Sequence, residues 1–325
     1  MTAPTPPLAF ALDLSHHPWL RGGPDAAART LAVADAADRA GIDAIWATED
    51  PEGWDAFGVL GAIAARTERA LLGPGVTNPY LRHPNLLAAS LATLDRLSNG
   101  RAALGLGRGQ PEWYERALGM ERGDPLARLE ETIALLRAWQ APPHVASSPE
   151  GGQFGVRGWE RQIFPAGNPP ILLAAVGPRA LALAGRAADG VILNALSSDA
   201  FIADAVAAVR AAALAAGRDP SGFRFVLRTE ATVTDDPATA LRRWKTRFAL
   251  VNALPGMEAA VRVPGFDVDR IVADIRDALG VDRLLGEGRG FADLRRGDLD
   301  AARALIPDEL ISRLAIVGNA EQVRA

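Results

Sequence analysis

The sequence predicts an α/β protein built of short parallel strands alternating with helices, arranged as one (β/α)₈ barrel or one doubly wound sheet. Three observations predict it. Seven short apolar runs bounded by glycine or proline recur between Leu8 and Val233, helical stretches lie between most of them, and no break in composition divides the chain. Strands covered by helices on both faces read as near-continuous apolar runs. Alternating βα units place such strands in one parallel sheet.

Leu8 to Leu14 reads as the first strand, followed by a polar, glycine-rich loop and an alanine-rich helix over about Asp25 to Ala40. Gly41 stands in the position that ends a helix. Ile42 to Thr48 is the second strand and Leu71 to Val76 the third. A helix opens at His83-Pro84, with proline suited to the first turn, and closes at Asn99-Gly100. Ala102 to Leu106, Ile171 to Val176 and Gly190 to Leu193 are the next strands, the last two separated by a helix over Pro178 to Ala188. Phe223 to Val233 is the seventh. Two segments fall outside the alternation. Gln140 to Pro170 is rich in Gly, Pro and Ser and reads as a long loop or hairpin over one end of the fold; loops this long inside a compact domain tend to carry function. From Asp236 to Ala325 the pattern is helical, and Ile311 to Val317, after the helix-start signal Pro307-Asp308-Glu309, reads as helix too.

Composition narrows the function. The 325 residues are 49% hydrophobic and 23% charged, which fits a globular chain and argues against disorder. One domain over 1–325 is expected, since α/β barrels use this much chain. Net charge is −4, from 35 basic and 39 acidic residues with no basic run, so nucleic acid is not an expected partner. The absence of cysteine removes disulfides, zinc-thiolate sites, iron–sulfur clusters and thiol nucleophiles together. No metal site is expected. No apolar run reaches the roughly 20 residues that span a bilayer, and Met1 to Pro7 lacks an apolar signal core, so a cytoplasmic location is expected. Neither a Ser-His-Asp, an HExxH nor a phosphate-loop pattern is present.

Three stretches carry a resemblance. The first is GPGVTNPYLRHPNLLAASLATLDRLSN at Gly73 to Asn99, continuing into GRAALGLGRG up to Gly109. The second is ILLAAVGPRALALAGRAADGVILN at Ile171 to Asn194. The third is FADLRR at Phe291 to Arg296 with the segment Pro307 to Val317. Together they resemble the bacterial-luciferase-like family of flavin- and F420-dependent oxidoreductases, especially its methylenetetrahydromethanopterin reductase branch. The resemblance spans most of the chain. It implies a (β/α)₈ barrel, a deazaflavin or flavin cofactor and a small-molecule substrate, and it leaves the substrate open.

In such a barrel the active site lies at the C-terminal ends of the strands, and each stretch delivers residues there. Gly75, Val76, Thr77 and Asn78 follow the third strand, and the family has a non-prolyl cis peptide here that supports the middle ring of the deazaflavin; the resemblance puts it at Gly75-Val76. Gly107, Arg108 and Gly109 follow the fourth strand, where glycines admit a ligand to the backbone and the arginine suits a phosphate or carboxylate. Ala175, Val176, Gly177 and Pro178 lead from the fifth strand into a helix start, an anion site in principle; the family binds cofactor phosphate or side chain in this region, helped by Leu193 and Asn194. Glu49 and Asp50 close the second strand as the candidate catalytic carboxylates, either suited to orient a ring or relay a proton; Asp50 also matches a position that contacts the deazaflavin in relatives. Asp13, His16 and His17 are weaker substrate-side candidates, and His83 reads as a helix-start or packing residue. Pocket walls are expected from loops carrying Trp19, Trp54 and Trp113.

The resemblance thus implies hydride transfer between reduced coenzyme F420 and an organic substrate, with the stretch VTNPYLRHP favouring F420 over FMN. Two other readings stand beside it: an FMN-dependent monooxygenase that needs a flavin reductase partner, and a non-catalytic flavin-binding protein. A homodimer is expected, with the alanine-rich helix Asn85 to Leu97 suited to close packing. Finally, no run after Asp236 reads as a barrel strand; Val281 to Leu285 is the weak candidate. The expectation is therefore a barrel lacking its eighth strand, either because the sequence is truncated or because a gap separates the first and seventh strands, which would leave two sheet edges unpaired.

Overall fold

Each strand is short because its neighbours punctuate it. The computed structural model describes residues 9–14, 23–49, 53–229, 231–254, 256–287, 289 and 291–324. Its strands are β1 (Ala11–Leu14), β2 (Ala44–Ala47), β3 (Leu71–Pro74), β4 (Leu104–Leu106), β5 (Val145–Ala146), β6 (Trp159–Glu160), β7 (Ile171–Ala174), β8 (Gly190–Leu193), β9 (Arg224–Leu227), β10 (Ala231–Val233) and β11 (Ile316–Gly318). β2, β4 and β8 are buried along their whole length, as strands with both faces covered should be. The chain divides into two compact units: Met1–Gly109 with Gly123–Leu173 and Ala187–Asp189, and Gln110–Arg122 with Ala174–Arg186 and Gly190–Ala325.

In the first unit β1, β2 and β3 pair in parallel, with Asp13, Trp46 and Gly73 side by side in register. The parallel ladder continues from β3 to β4 through bridges at Leu72–Ala102 and Thr77–Leu106, and β4 pairs in parallel with β7. Helices Ala26–Arg39, Ala56–Ala64, Pro84–Leu97 and Pro125–Gln140 belong to this unit. Their ends follow the sequence signals. Asp55 caps the second helix by accepting the N–H of Gly58, and Asp124 caps the fourth ahead of Pro125. Gly41 and the pair Asn99-Gly100 take up positive φ where their helices stop. His83 starts its helix, its Nδ1 accepting the N–H of Asn85 at 3.2 Å, and packs edge-on against Phe154. Burial holds the His83 imidazole below its ordinary pKa, although the charge of Glu131 pulls the other way.

Helix Ala26–Arg39 is tied to the start of β3 by one carboxylate. Asp38 accepts backbone N–H groups from Glu68 at 2.9 Å, Arg69 at 3.1 Å and Ala70 at 2.7 Å. Burial pushes its pKa up, but these three donors and the nearby charge of Arg101 outweigh that and hold it below the usual carboxylate range. A group depressed in the folded state contributes stability above its unfolded pKa and loses it as pH falls through the folded value. Asp38→Ala is therefore expected to cost about 1–3 kcal/mol near neutral pH, because it orphans the buried Ala70 N–H and frees two part-buried donors. The difference from wild type should shrink as pH drops below the usual carboxylate range. Urea titrations at a series of pH values check both statements.

The segment 140–170 does form a hairpin, with β5 and β6 antiparallel. It is bonded along two helices, Pro84–Leu97 and Pro125–Gln140. Arg161 bonds the carbonyl and side chain of Asn85, Arg96 reaches the Phe164 carbonyl, and the Trp139 indole donates to the Trp159 carbonyl. Asp95, 1% exposed, accepts from Ala166 and Gly167. Polar groups spaced along helix flanks, invisible to a reading of loop composition, set this path.

In the second unit β8 pairs in parallel with β9. The single seventh run expected at Phe223 to Val233 is two strands, separated by the polar Arg228 and Thr229, and β10 pairs in parallel with β11. That second pairing corrects the reading of Ile311 to Val317 as helix. Helix Asp308–Ser312 ends at Arg313, and Ile316-Val317-Gly318 turns extended. The β-branched pair favours a strand, and register with Ala231 to Val233 decides it. A further parallel strand therefore lies within the chain. Val281 to Leu285 is helical. The helical segments of this unit, from Pro237–Asn252 through Asp308–Ser312, enclose their own core around Phe248, Ile275, Leu310 and Ile311, each fully buried. Among the described residues no helix is long and apolar enough to cross a membrane.

Candidate functional site

The sheet of the first unit delivers three predicted segments to the C-terminal ends of neighbouring strands. Backbone bonds carry the ladder past the strands proper: Gly75 N–H donates to Ala47 at 2.9 Å, Thr77 N–H to Gly105 at 3.0 Å, and Gly107 N–H to Thr77 at 2.8 Å. Glu49, Gly75 to Asn78 and Gly107 to Gly109 thus follow β2, β3 and β4 in one ladder. The Gly75-Val76 peptide is cis, where the resemblance puts it.

Glycine is needed here for space. A Cβ on Gly73 would sit 2.4 Å from the Ala103 carbonyl oxygen and 2.9 Å from the Trp46 ring, and one on Gly75 would meet Trp46 Cβ at 3.0 Å. Trp46 lies against this glycine pair, 6% exposed, and its indole N–H has no acceptor among the described residues. A buried donor without a partner costs about 1–3 kcal/mol, so such groups at strand ends point to a ligand that supplies the acceptor.

Glu49 is buried and fully engaged with protein. It accepts the Thr77 hydroxyl, Arg82 Nε at 2.9 and 3.0 Å, and Arg82 Nη2 at 2.6 Å. Arg82 also bonds Asp55, and its guanidinium stacks 4.9 Å over the Phe57 ring. Burial alone would lower the Arg82 pKa; its bonds to Glu49 and Asp55 outweigh that and raise it, so it stays charged. Burial likewise pushes the Asp55 carboxyl up, and the Gly58 N–H and Arg82 more than reverse it. Asn78, 2% exposed, accepts the N–H groups of Tyr80 and Leu81 and so shapes the loop back toward Arg82. Arg108 is half-buried in its turn.

The second unit holds the other predicted segment. Ala175 is buried and bonds the Ile192 carbonyl at 3.3 Å. The Gly177 carbonyl accepts from Ala180 and Leu181 as helix Pro178–Ala187 begins, and a Cβ on Gly177 would meet nothing within 4 Å. Leu193 is buried, and the Asn194 side chain accepts from Ala195 N–H while its amide faces Met257 Sδ at 3.8 Å. An open helix start of this kind suits a negative group. Asp50, His16, His17 and Trp19 lie outside the described residues, as does the Trp113 side chain. Asp13 is in β1 beside Trp46, and the Trp54 indole bonds the Thr48 carbonyl at 2.8 Å. No group of three metal-ligating side chains exists among the described residues. Sequence reading missed Trp46, Asp55 and Arg82. Each lacks a spacing signal, and the sign of Arg82 was only its place inside VTNPYLRHP.

The close-packed glycines and the indole N–H that has no acceptor among the described residues suit a planar ring bearing a hydrogen-bond acceptor. Short parallel strands alternating with helices define the class, an α/β barrel, a fold whose active sites lie at the C-terminal strand ends. The chain belongs to the luciferase-like monooxygenase family, whose model matches residues 9–325. It is 36% identical to the 5,10-methylenetetrahydromethanopterin reductase of Methanolobus tindarius over 89% of this chain and 82% of that one. It is also 36% identical to the F420-dependent hydroxymycolic acid dehydrogenase of Mycobacterium tuberculosis, over 65% of this chain and 61% of the relative. Among solved structures, the F420-dependent tetrahydromethanopterin reductase from Methanopyrus kandleri superposes with a TM-score of 0.71, covering 97% of this chain and 88% of that one at 23% identity. That likeness establishes the luciferase-like (β/α)₈ fold. The chain is an enzyme of the oxidoreductase class.

Proposed function

We propose that this chain is an F420-dependent oxidoreductase that reduces a small organic substrate. The observation that carries it is the 36% identity, over most of both chains, to a methylenetetrahydromethanopterin reductase. F420, when bound in its reduced form, supplies the hydride, and the substrate takes that hydride with a proton. The protein's part is to bind, orient and keep water out. In the first unit Gly75 to Asn78 and Gly107 to Gly109 bed the ring by backbone, and the Trp46 indole donates to one of its acceptors. Asp50 orients the ring or moves the proton. Taken by itself, the second unit offers Ala175 to Pro178, with Leu193 and Asn194, as cofactor-binding candidates at the start of helix Pro178–Ala187, where a negative group is favoured.

FMN is the second candidate cofactor, favoured by an FMN-bound monooxygenase component among similar folds, but at 18% identity that likeness speaks for the fold alone. Absorbance and fluorescence titrations with oxidised F420 and with FMN decide between them. Saturable binding of F420 and not of FMN is the expected result; binding of FMN alone would overturn the assignment. Gly177→Asp should weaken F420 binding by about 1 kcal/mol, several-fold in Kd, by placing a negative group at the helix start. An unchanged Kd would remove the anion site. The protein should also be a homodimer, because helix Pro84–Leu97 leaves Leu86 52% and Leu97 57% exposed. Light scattering giving a monomer at micromolar concentration would count against that.

A further inference from the structure

We propose that Arg82 and Glu49 form a positioning clamp that sets the ring-binding strand ends through the Thr77 hydroxyl. The inference rests on the cofactor reading above and assigns a task to two buried charges that this reading leaves without one. Three chain segments meet in the clamp. Glu49 closes β2, Thr77 follows β3 directly after the cis peptide, and Asp55 caps helix Ala56–Ala64. Arg82 lies seven residues past Gly75, and its own N–H returns to the Asn78 carbonyl at 3.3 Å, closing the loop on itself. Its guanidinium then bonds both carboxylates and lies over the Phe57 ring.

The direction of the linkage is readable from the bonds. Both Glu49 oxygens face Arg82, and one of them also takes the Thr77 hydroxyl. Thr77, with no exposed surface, in turn passes its backbone N–H to Gly105 and receives Gly107 N–H on its carbonyl. A shift of the Thr77 side chain is therefore a shift of the Gly75-Val76 peptide on one side and of Gly107 to Gly109 on the other. Arginine holds Glu49 through two nitrogens, Nε and Nη2, and this paired geometry fixes the carboxylate's orientation; an ammonium is a point charge and does not. Sites of this kind need their supporting shell locked to hold the binding geometry. On this account neither Arg82 nor Glu49 touches the cofactor.

The test uses the full chain and four variants: Thr77→Val, Thr77→Ser, Arg82→Lys and Glu49→Gln. Oxidised F420 and FMN are titrated in parallel against each protein, and the spectrum of the bound cofactor is recorded with the melting temperature. The cofactor assignment is judged on wild type; the clamp is judged on variants, with the cofactor that wild type binds. Thr77→Val keeps the ion pair and nearly the same volume, so it should fold, yet Kd should rise about tenfold, on the order of one lost hydrogen bond. The bound spectrum should move with it, and Thr77→Ser should restore both. Arg82→Lys and Glu49→Gln should show the same shifted spectrum. Variants that melt earlier but bind with wild-type Kd and spectrum would overturn the clamp and leave the network a purely structural one.

Discussion

Glu49→Ala is expected to destabilise the protein by about 3–5 kcal/mol, the usual cost of removing one partner of a buried ion pair. The carboxylate is 5% exposed and Arg82 11% exposed, so the orphaned guanidinium has little access to water. Asp55 remains as a partner for the guanidinium, which places the loss toward the lower end of that range, although its 59% exposed side chain compensates only in part. Thr77 also loses the acceptor of its buried hydroxyl. Chemical denaturation at neutral pH measures the change. A loss under about 1 kcal/mol would mean that Arg82 escapes to solvent in the variant. Glu49→Gln should cost less, because an amide keeps an oxygen for Thr77.

Gly190→Ala should have an effect at least as large. Gly190 opens β8 opposite Arg224 of β9, and a Cβ there would lie 2.0 Å from the Arg224 carbonyl oxygen. Overpacking of side chains costs about 1–3 kcal/mol because they can turn aside. A backbone oxygen held in a ladder cannot, so the two strands must part. We expect a loss of about 3 kcal/mol or more, seen as a lower urea midpoint or as insoluble protein. A variant with wild-type stability would show that β8 and β9 do not approach this closely. The contrast with Gly177, where a new Cβ meets nothing, separates a glycine kept for close strand packing from one kept beside an open helix start.

Sequence periodicity and punctuation determined much of the fold. Buried parallel strands announce themselves because no polar position interrupts them, and β2, β3, β4, β7 and β8 all fall within the runs read for them. Helix starts at Pro84 and Pro178, and stops at Gly41 and Asn99-Gly100, are legible because proline and positive-φ residues are local requirements. The cis peptide was placed through family resemblance; nothing in the local composition of Gly75-Val76 requires it.

Only the tertiary structure decided the rest. β11 is three residues long and follows directly on a short helix, so its local pattern is helical until Ile316 finds Ala231 across the ladder. The run Phe223 to Val233 looks continuous in one dimension, yet its two halves pair with different strands. The hairpin's course along two helices rests on Asn85, Asp95 and Trp139, which lie outside the hairpin itself. At the site, glycines and carboxylates could be nominated from strand-end position, but the partner of Glu49 stands 33 residues away in Arg82. Local order is written in nearest neighbours and their dihedral limits. Which charges meet, and which indole N–H is left for a ligand, depends on contacts between residues far apart in the chain, and these exist only once the strands have paired.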